Sequence, residues 1–109
     1  MIKKYNKLVR DRIPEIIVKK SGERPYTRVL NKKEFFGSLK KKPLEEAKEL
    51  LNARDDKDIL NELVDLQELI DTIIAEMGIS KPEFRNLQKK KNKEKGGFKK
   101  RLFLIKTKK

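Results

Sequence analysis

Apolar residues recur every three or four positions through the middle of the chain, which is the spacing that places them on one side of an α-helix. The longest such stretch follows Asp55 and Asp58, whose side chains can cap a helix, and Gly78 marks its end. This pattern predicts one long helix with a single buried side. Its apolar positions are Ile59, Leu60, Leu63, Leu66, Leu69, Ile70, Ile73, Ile74 and Met77.

A second helical pattern precedes the long one. Asn31 and Glu34 have the spacing of a capping box, so a helix is predicted to begin near Lys32. The pattern resumes over residues 44–53 after an interruption at Pro43. Proline lacks an N–H group and its ring clashes with the preceding turn, so we expect Pro43 to kink this helix or to restart it as a new one.

Two shorter helices are predicted nearer the ends of the chain. The first lies within residues 5–20, with Asp11 as its candidate N-cap and Gly22 after its end. The second begins at a capping box that starts with Ser80, and Gly96-Gly97 stops it.

Two segments favour extended backbone, Tyr26–Leu30 and Arg101–Ile105, and each is predicted to form a short strand. A chain of 109 residues can bury one modest core and has little room for a second module. We therefore expect a single domain over residues 1–109 that is mainly α, a helical bundle with minor short β-strands.

Composition excludes several classes of site. The chain has no cysteine and no histidine, which removes disulfides, thiolate metal sites and Ser–His or Cys–His catalysis. Its apolar runs are far shorter than the roughly 20 residues that cross a bilayer, and its start does not resemble a signal peptide. We expect a cytoplasmic protein with no membrane partner.

The net charge of +13 is concentrated in one segment. Residues 85–109 carry 12 Lys or Arg and one acidic residue, Glu94, whereas residues 1–84 carry 18 Lys or Arg and 16 acidic residues. A basic segment of this kind attracts phosphate groups, whether they belong to a nucleic acid or to a nucleotide. Charge alone does not distinguish these two partners.

Two pairs of carboxylates stand out against this background. Glu46 and Glu49 are three residues apart, as are Glu62 and Asp65, so each pair lies on one side of its helix. Glu62 lies at the edge of the apolar stripe that contains Leu66, where an anionic group is costly unless a cation compensates it. Such pairs are more commonly solvated, but two of them in this setting favour a function.

A divalent cation is the simplest compensation. Two antiparallel helices joined by a short turn bring two carboxylate pairs face to face, and an all-oxygen site suits Mg²⁺ or Mn²⁺. Without a cation, like charges would raise the pKa of at least one carboxylate. Glu45 lies beside the cluster and is a candidate to orient or deprotonate a metal-bound water.

Three stretches of this sequence together resemble a known family. Residues 45–49, EEAKE, are followed after twelve residues by ELVD at 62–65, which resembles the EExxE…ExxD motif of MazG-like all-α NTP pyrophosphohydrolases. These enzymes are relatives of phosphoribosyl-ATP pyrophosphohydrolase. Residues 5–15, YNKLVRDRIPE, and residues 93–98, KEKGGF, are similar to stretches of a small single-domain branch of the same superfamily.

This resemblance implies a fold, an activity and a set of metal ligands. The family hydrolyses nucleoside triphosphates to monophosphate and pyrophosphate with Mg²⁺, often to clear damaged or unwanted nucleotides, and forms helical dimers or dimers of dimers. By position, the implied metal ligands are Glu46, Glu49, Glu62 and Asp65, and Glu45 is a supporting carboxylate.

The flanking stretches imply phosphate contacts. The candidates are Lys7, Arg10 and Arg12 in the first stretch, Lys95 in the second and Lys91 just before it, with Gly96-Gly97 as a flexible loop that closes over the triphosphate. Structural roles compete with each assignment. Arg10 can form an ion pair with Asp11, Gly96-Gly97 can simply stop a helix, and Phe98 can anchor a core.

Two other functions stay open at this point. In one, the Lys-rich segment 85–109 binds nucleic acid and the acidic helices only pack. In the other, the chain is a catalytically silent member of the family, because Pro43 departs from the uninterrupted helix expected before the acidic motif and can rotate Glu45 and Glu46 away from their partners.

Overall fold

A computed structural model describes residues 1–109 as four α-helices without a β-strand. The helices are α1 (Ile13–Ser21), α2 (Lys32–Asn52), α3 (Asp56–Glu76) and α4 (Lys81–Lys95). The expectation of a mainly α chain is confirmed, whereas the expected minor strands are absent. None of the four helices is long and apolar enough to span a membrane.

The predicted starts of the two long helices are confirmed at atomic level. The Asn31 side chain accepts a hydrogen bond from the Glu34 N–H at 2.8 Å, and the Asn31 N–H donates to the Glu34 carboxylate at 3.3 Å. This complete capping box begins α2. At the start of α3, the Asp55 carboxylate accepts from the Asp58 N–H at 2.8 Å.

Pro43 does not divide the second helix. α2 runs as a single element of 21 residues through Pro43, so the predicted restart is wrong. A proline removes one backbone hydrogen bond and leaves the neighbouring ones in place. The helix is fixed against α3 on both sides of this position, because Leu39 and Glu46 are both buried.

The two shorter helices differ slightly from prediction. Arg12, not Asp11, occupies the N-cap position of α1, and no side-chain hydrogen bond caps this helix. The helix ends at Gly22, whose φ of +72° is in the left-handed region that glycine tolerates best. The Ser80 hydroxyl accepts from the Glu83 N–H at 3.2 Å, and α4 ends at Gly96 as expected.

The two β-prone segments are extended but unpaired. Tyr26 and Val29 are 87% and 96% exposed, and Leu102 to Ile105 are each at least 80% exposed. A strand needs a neighbour that accepts and donates its backbone hydrogen bonds, and neither segment meets one within this chain. The strand prediction failed because propensity is local whereas pairing is not.

The core lies between α2 and α3. Residues 53–55 join these helices and are too few to permit anything but an antiparallel hairpin, and α4 packs only against α3. Leu39 and Ile74 are the only buried apolar side chains. The radius of gyration is 18.6 Å, compared with about 13 Å for a compact chain of this length. One chain therefore buries little apolar surface.

Leu39→Ala should reduce the free energy of unfolding by about 2–5 kcal/mol, because Leu39 is 2% exposed and its removal leaves a cavity against α3. Urea unfolding followed by circular dichroism measures this loss. The matched control in the same helix is Leu51→Ala, since Leu51 is 83% exposed and should change stability by no more than about 0.5 kcal/mol. Equal losses in the two variants would contradict the placement of the core.

Candidate metal centre

The acidic motif residues lie where α2 and α3 pack. Glu46 and Glu49 are one helical turn apart on α2, and Glu62 is on α3. The hairpin brings one carboxylate oxygen of each of these three residues within 4.8 Å of the other two. We call Glu46, Glu49 and Glu62 the carboxylate triad.

The triad is graded from buried to exposed. Glu46 is only 9% exposed, Glu62 is half-buried, and Glu49 faces solvent. Oε2 of Glu46 and Oε2 of Glu62 are buried and have no hydrogen-bond partner. A buried charged oxygen without a partner is costly, and natural proteins seldom leave one unless it serves a ligand or a function. The triad therefore has an inner end that requires compensation and an outer end that solvent and ligands can reach.

Burial and mutual repulsion shift the titration of the triad. Burial is the main cause that raises the pKa of Glu46 to about 7, and the negative charge of Glu49 is the second contribution to this value. The pKa of Glu62 is also raised, first by burial and then by its contact with Glu49. The direction agrees with the expectation that converging carboxylates raise at least one pKa. Near neutral pH, a proton or a cation is needed to relieve this crowding.

The residues of the triad fit a divalent cation. They provide only carboxylate oxygens, which are the ligands that Mg²⁺ and Mn²⁺ prefer. Oxygens bound to one Mg²⁺ are separated by about 3–4 Å. The carboxylate oxygens of the triad lie within 4.8 Å of one another, so a small movement of the side chains would allow all three to bind one ion. The two orphaned oxygens are those of the buried residues Glu46 and Glu62.

Asp65, the fourth predicted ligand, has a different partner. Its Oδ1 lies 3.1 Å from Nη2 of Arg10 in an ion pair, and it is not among the three residues that converge. Its charge is nevertheless felt by Glu46 and Glu62, since it contributes to the raised pKa of both. The structure thus brings three of the four predicted ligands together and places the fourth beside them, bound to an arginine.

Glu45 is surrounded by cations. Its Oε2 is 2.8 Å from Nζ of Lys42, and its Oε1 is 3.8 Å from Nζ of Lys7. The hydrogen bond from Lys42 is the main cause that lowers the pKa of Glu45, and Lys7 contributes less. This carboxylate is therefore ionised at neutral pH. Sequence reasoning missed Lys42, although its i,i+3 spacing to Glu45 is a signal that predicts such a pair.

The predicted phosphate-binding residues fall into two groups. Lys7 and Arg10 contact motif carboxylates, as described above. The others lie elsewhere: Arg12 pairs with Glu15 at 3.4 Å, and Lys91 and Lys95 are exposed on α4 without an ion pair. The competing structural roles are also decided in part. Arg10 pairs with Asp65 instead of Asp11, Gly96 does end a helix, and Phe98 is 97% exposed and anchors no core.

Two shallow surface depressions lie away from the triad. One, of about 280 Å³, is on α4 and is lined by Phe84, Leu87 and Lys91 with two polar neighbours. The other, of about 300 Å³, is on the first turns of α3. Neither includes a motif carboxylate. The triad is therefore defined by three converging carboxylates and not by either of these depressions.

The metal-free protein should lose stability as pH rises from about 4.5 to 7. In this window the folded protein retains a proton on Glu46, whose pKa is about 7, whereas the unfolded chain has released it. The loss should be on the order of a few kcal/mol. Glu46→Gln should flatten this dependence. Chemical denaturation in EDTA at several pH values measures it.

The matched control for this pH series is Glu76→Gln, because Glu76 is exposed and lies in the same hairpin without an ion pair. It should keep the slope of the unaltered protein. A slope that survives in Glu46→Gln, or that disappears in Glu76→Gln, would show that burial of Glu46 is not its source. Added Mg²⁺ should remove most of the slope at neutral pH, since a cation replaces the proton.

No protein-family model, curated protein or solved structure that was compared with this chain matches it. The similarity to MazG-like enzymes therefore rests on the three motif stretches alone. What supports a function is the chain's own geometry, above all three carboxylates that converge at the interface of two helices.

Proposed function

We propose that this protein hydrolyses a nucleoside triphosphate to the monophosphate and pyrophosphate, with Mg²⁺ or Mn²⁺ held by Glu46, Glu49 and Glu62 and with Asp65 completing the site. One observation carries the proposal. Three carboxylates from two helices converge within 4.8 Å, and two of their oxygens are buried without a partner. An arrangement this unfavourable in isolation is best explained by a cation that it holds.

The chemistry follows from the charges around the triad. A bound divalent cation neutralises charge on a leaving pyrophosphate and acidifies a coordinated water. Glu45 is ionised and lies beside the triad in sequence, so it is suited to orient that water or accept its proton. Lys7 and Arg10 place positive charge at the same end of the hairpin, where phosphate oxygens would meet it.

The biological role and location are part of the same proposal. A small hydrolase of this kind would act on the nucleotide pool of the cytoplasm and remove unwanted triphosphates. Lys91, Lys95 and Gly96-Gly97 belong to the basic segment 85–109, which would attract the triphosphate through its long-range field. Arg12 is proposed only for this wider attraction, because its observed partner is Glu15.

Incubation with a panel of nucleoside triphosphates and Mg²⁺ should release pyrophosphate, detected with a coupled phosphate assay. Glu49→Gln and Asp65→Asn should each reduce release by about 10- to 100-fold, because each removes a charge at the cation. Both residues lie toward the exposed side of the site, so the fold should persist and circular dichroism should be unchanged.

The control for the panel is Glu76→Gln, an exposed carboxylate outside the site, which should keep full activity. Absence of pyrophosphate release with every nucleotide would contradict the hydrolase. Mg²⁺ binding without turnover would instead indicate a catalytically silent protein. Pro43 no longer favours that alternative, because α2 is continuous and Glu46 converges with Glu49 and Glu62.

A second candidate function is nucleic-acid binding through residues 85–109. Every residue of this segment is exposed, and its two aromatic residues, Phe98 and Phe103, are 97% and 87% exposed. Phe84, just before the segment, is half-buried. Exposed aromatic rings among lysines suit single-stranded nucleic acid. Oligonucleotide binding that weakens steeply with salt, together with no pyrophosphate release, would favour this function over the hydrolase.

We also propose a homo-oligomer, either a dimer or a dimer of dimers. Leu60, Leu63 and Val64 form an apolar face on α3, and they are 62%, 45% and 57% exposed. A two-helix hairpin with two buried apolar side chains has too little core to be stable alone, and a second hairpin against this face would complete a four-helix bundle.

Light scattering after size exclusion should give a mass at least about twice 12.9 kDa. Leu63→Asp should yield the monomer, because a carboxylate would be buried at the centre of the apolar face. The control is Leu102→Asp, since Leu102 is 85% exposed and outside the helices. A monomeric unaltered protein at tens of micromolar would rule out the assembly.

A further inference from the structure

The chain before the first helix is held against the acidic site. Residues 1–12, which we call the N-terminal segment, contain no helix or strand, yet Leu8 and Val9 are half-buried. On either side of them, Lys7 pairs with Glu45 of α2 and Arg10 pairs with Asp65 of α3. The segment therefore contacts both helices that carry the acidic motif.

These two ion pairs are not equivalent. Glu45 already has Lys42 at 2.8 Å, so Lys7 at 3.8 Å is a second and weaker partner. Asp65 has no cationic partner except Arg10, at 3.1 Å. The remaining arginine of the segment, Arg12, is turned to Glu15. Arg10 is thus the one cationic side chain that pairs with Asp65, the fourth proposed metal ligand.

Arg10 and a divalent cation compete for the same charge. A guanidinium within 3.1 Å of Oδ1 neutralises much of the field that Asp65 would offer to a metal. The pair is partly solvated, with Asp65 34% and Arg10 56% exposed, so it can break at low cost. If a cation were held by Asp65, Arg10 would lie beside it with its N–H donors free for another ligand.

A guanidinium released from Asp65 is well suited to bind a phosphate group. Arg10 carries five N–H donors in a planar fork that matches the oxygens of a phosphate group. A triphosphate that shares the cation with the triad would bring such oxygens to the same end of the hairpin. Lysine at this position would offer only a point charge, so the exchange depends on arginine in particular.

We propose that Arg10 is a positioning residue that exchanges partners, holding Asp65 when no divalent cation is bound and holding the triphosphate once the cation has taken Asp65. This inference rests on the proposed function, because it assumes the same cation and the same substrate class. It adds that cation binding and substrate binding are coupled through one side chain. Because of this exchange, the protein binds a cation alone more weakly than it would without Arg10. It binds the cation together with a triphosphate more tightly than it would without Arg10.

Two titrations of the full chain test the exchange without requiring turnover. In the first, Mn²⁺ alone is titrated calorimetrically, and Arg10→Ala should bind it about two- to five-fold more tightly because Asp65 is no longer neutralised. In the second, an α,β-methylene nucleoside triphosphate is titrated in saturating Mn²⁺, and Arg10→Ala should bind it about ten-fold or more weakly because a charge-assisted contact is lost.

Opposite changes in the two affinities distinguish an exchange from structural damage, which would weaken both. Arg10→Lys should restore the Mn²⁺ affinity nearly to that of the unaltered protein but recover only part of the nucleotide affinity. The matched control is Arg28→Ala, since Arg28 forms an ion pair with Glu34 outside the site and should change neither affinity.

Mn²⁺ affinity that is unchanged or weaker in Arg10→Ala would overturn the competition with the cation. Nucleotide affinity that is unchanged would overturn the contact with the triphosphate. Failure of the proposed function is a separate result, because it appears as absence of pyrophosphate release by the unaltered protein. If Arg10→Ala loses its helical circular dichroism, Arg10→Lys becomes the deciding variant. A nucleotide affinity of Arg10→Lys equal to that of the unaltered protein would then overturn the role of the arginine fork.

Discussion

Carboxylates of α2 and α3 meet where the two helices pack, and the burial of Glu46 is the constraint that organises the surrounding charge. Glu46 is 9% exposed and its Oε2 has no partner, so helix packing and charge repulsion oppose each other at this point. A proton relieves the conflict below a pKa of about 7, and the proposed cation would relieve it above. Arg10 and Lys42 neutralise the neighbouring carboxylates but do not reach the buried oxygens.

The site and the core share one interface. Leu39 and Ile74 are the only buried apolar residues, and they lie between the same two helices that carry the carboxylate triad. Anything that separates α2 from α3 therefore disrupts both. With so small a core, binding of the proposed cation would add considerably to the stability of the hairpin. Folding, assembly and cation binding are consequently expected to be coupled.

Local features of the fold were predictable from the sequence, and non-local ones were not. The caps at Asn31 and Asp55 are short-range hydrogen bonds, so residue spacing identified them and the starts of both long helices. The i,i+3 spacing likewise identified the carboxylate pairs. By contrast, the pairing of Arg10 with Asp65 joins residues 55 positions apart, and only the packing of the N-terminal segment determines it. The failed strands at both β-prone segments have the same cause, because a strand depends on a distant neighbour.

The basic side chains of this protein differ in how tightly they are held by carboxylates. Lys42 is 17% exposed and fixed to Glu45, Arg10 is 56% exposed and paired with Asp65, and the lysines of segment 85–109 are solvated. The lysines of segment 85–109 form no ion pair with a motif carboxylate, so the role proposed for them is long-range attraction of an anion. In the proposed function, discrimination between a bare cation and a cation with its triphosphate would come from the charges that contact the motif carboxylates. Among these, Arg10 has both the exposure to move and the donor geometry to recognise a phosphate.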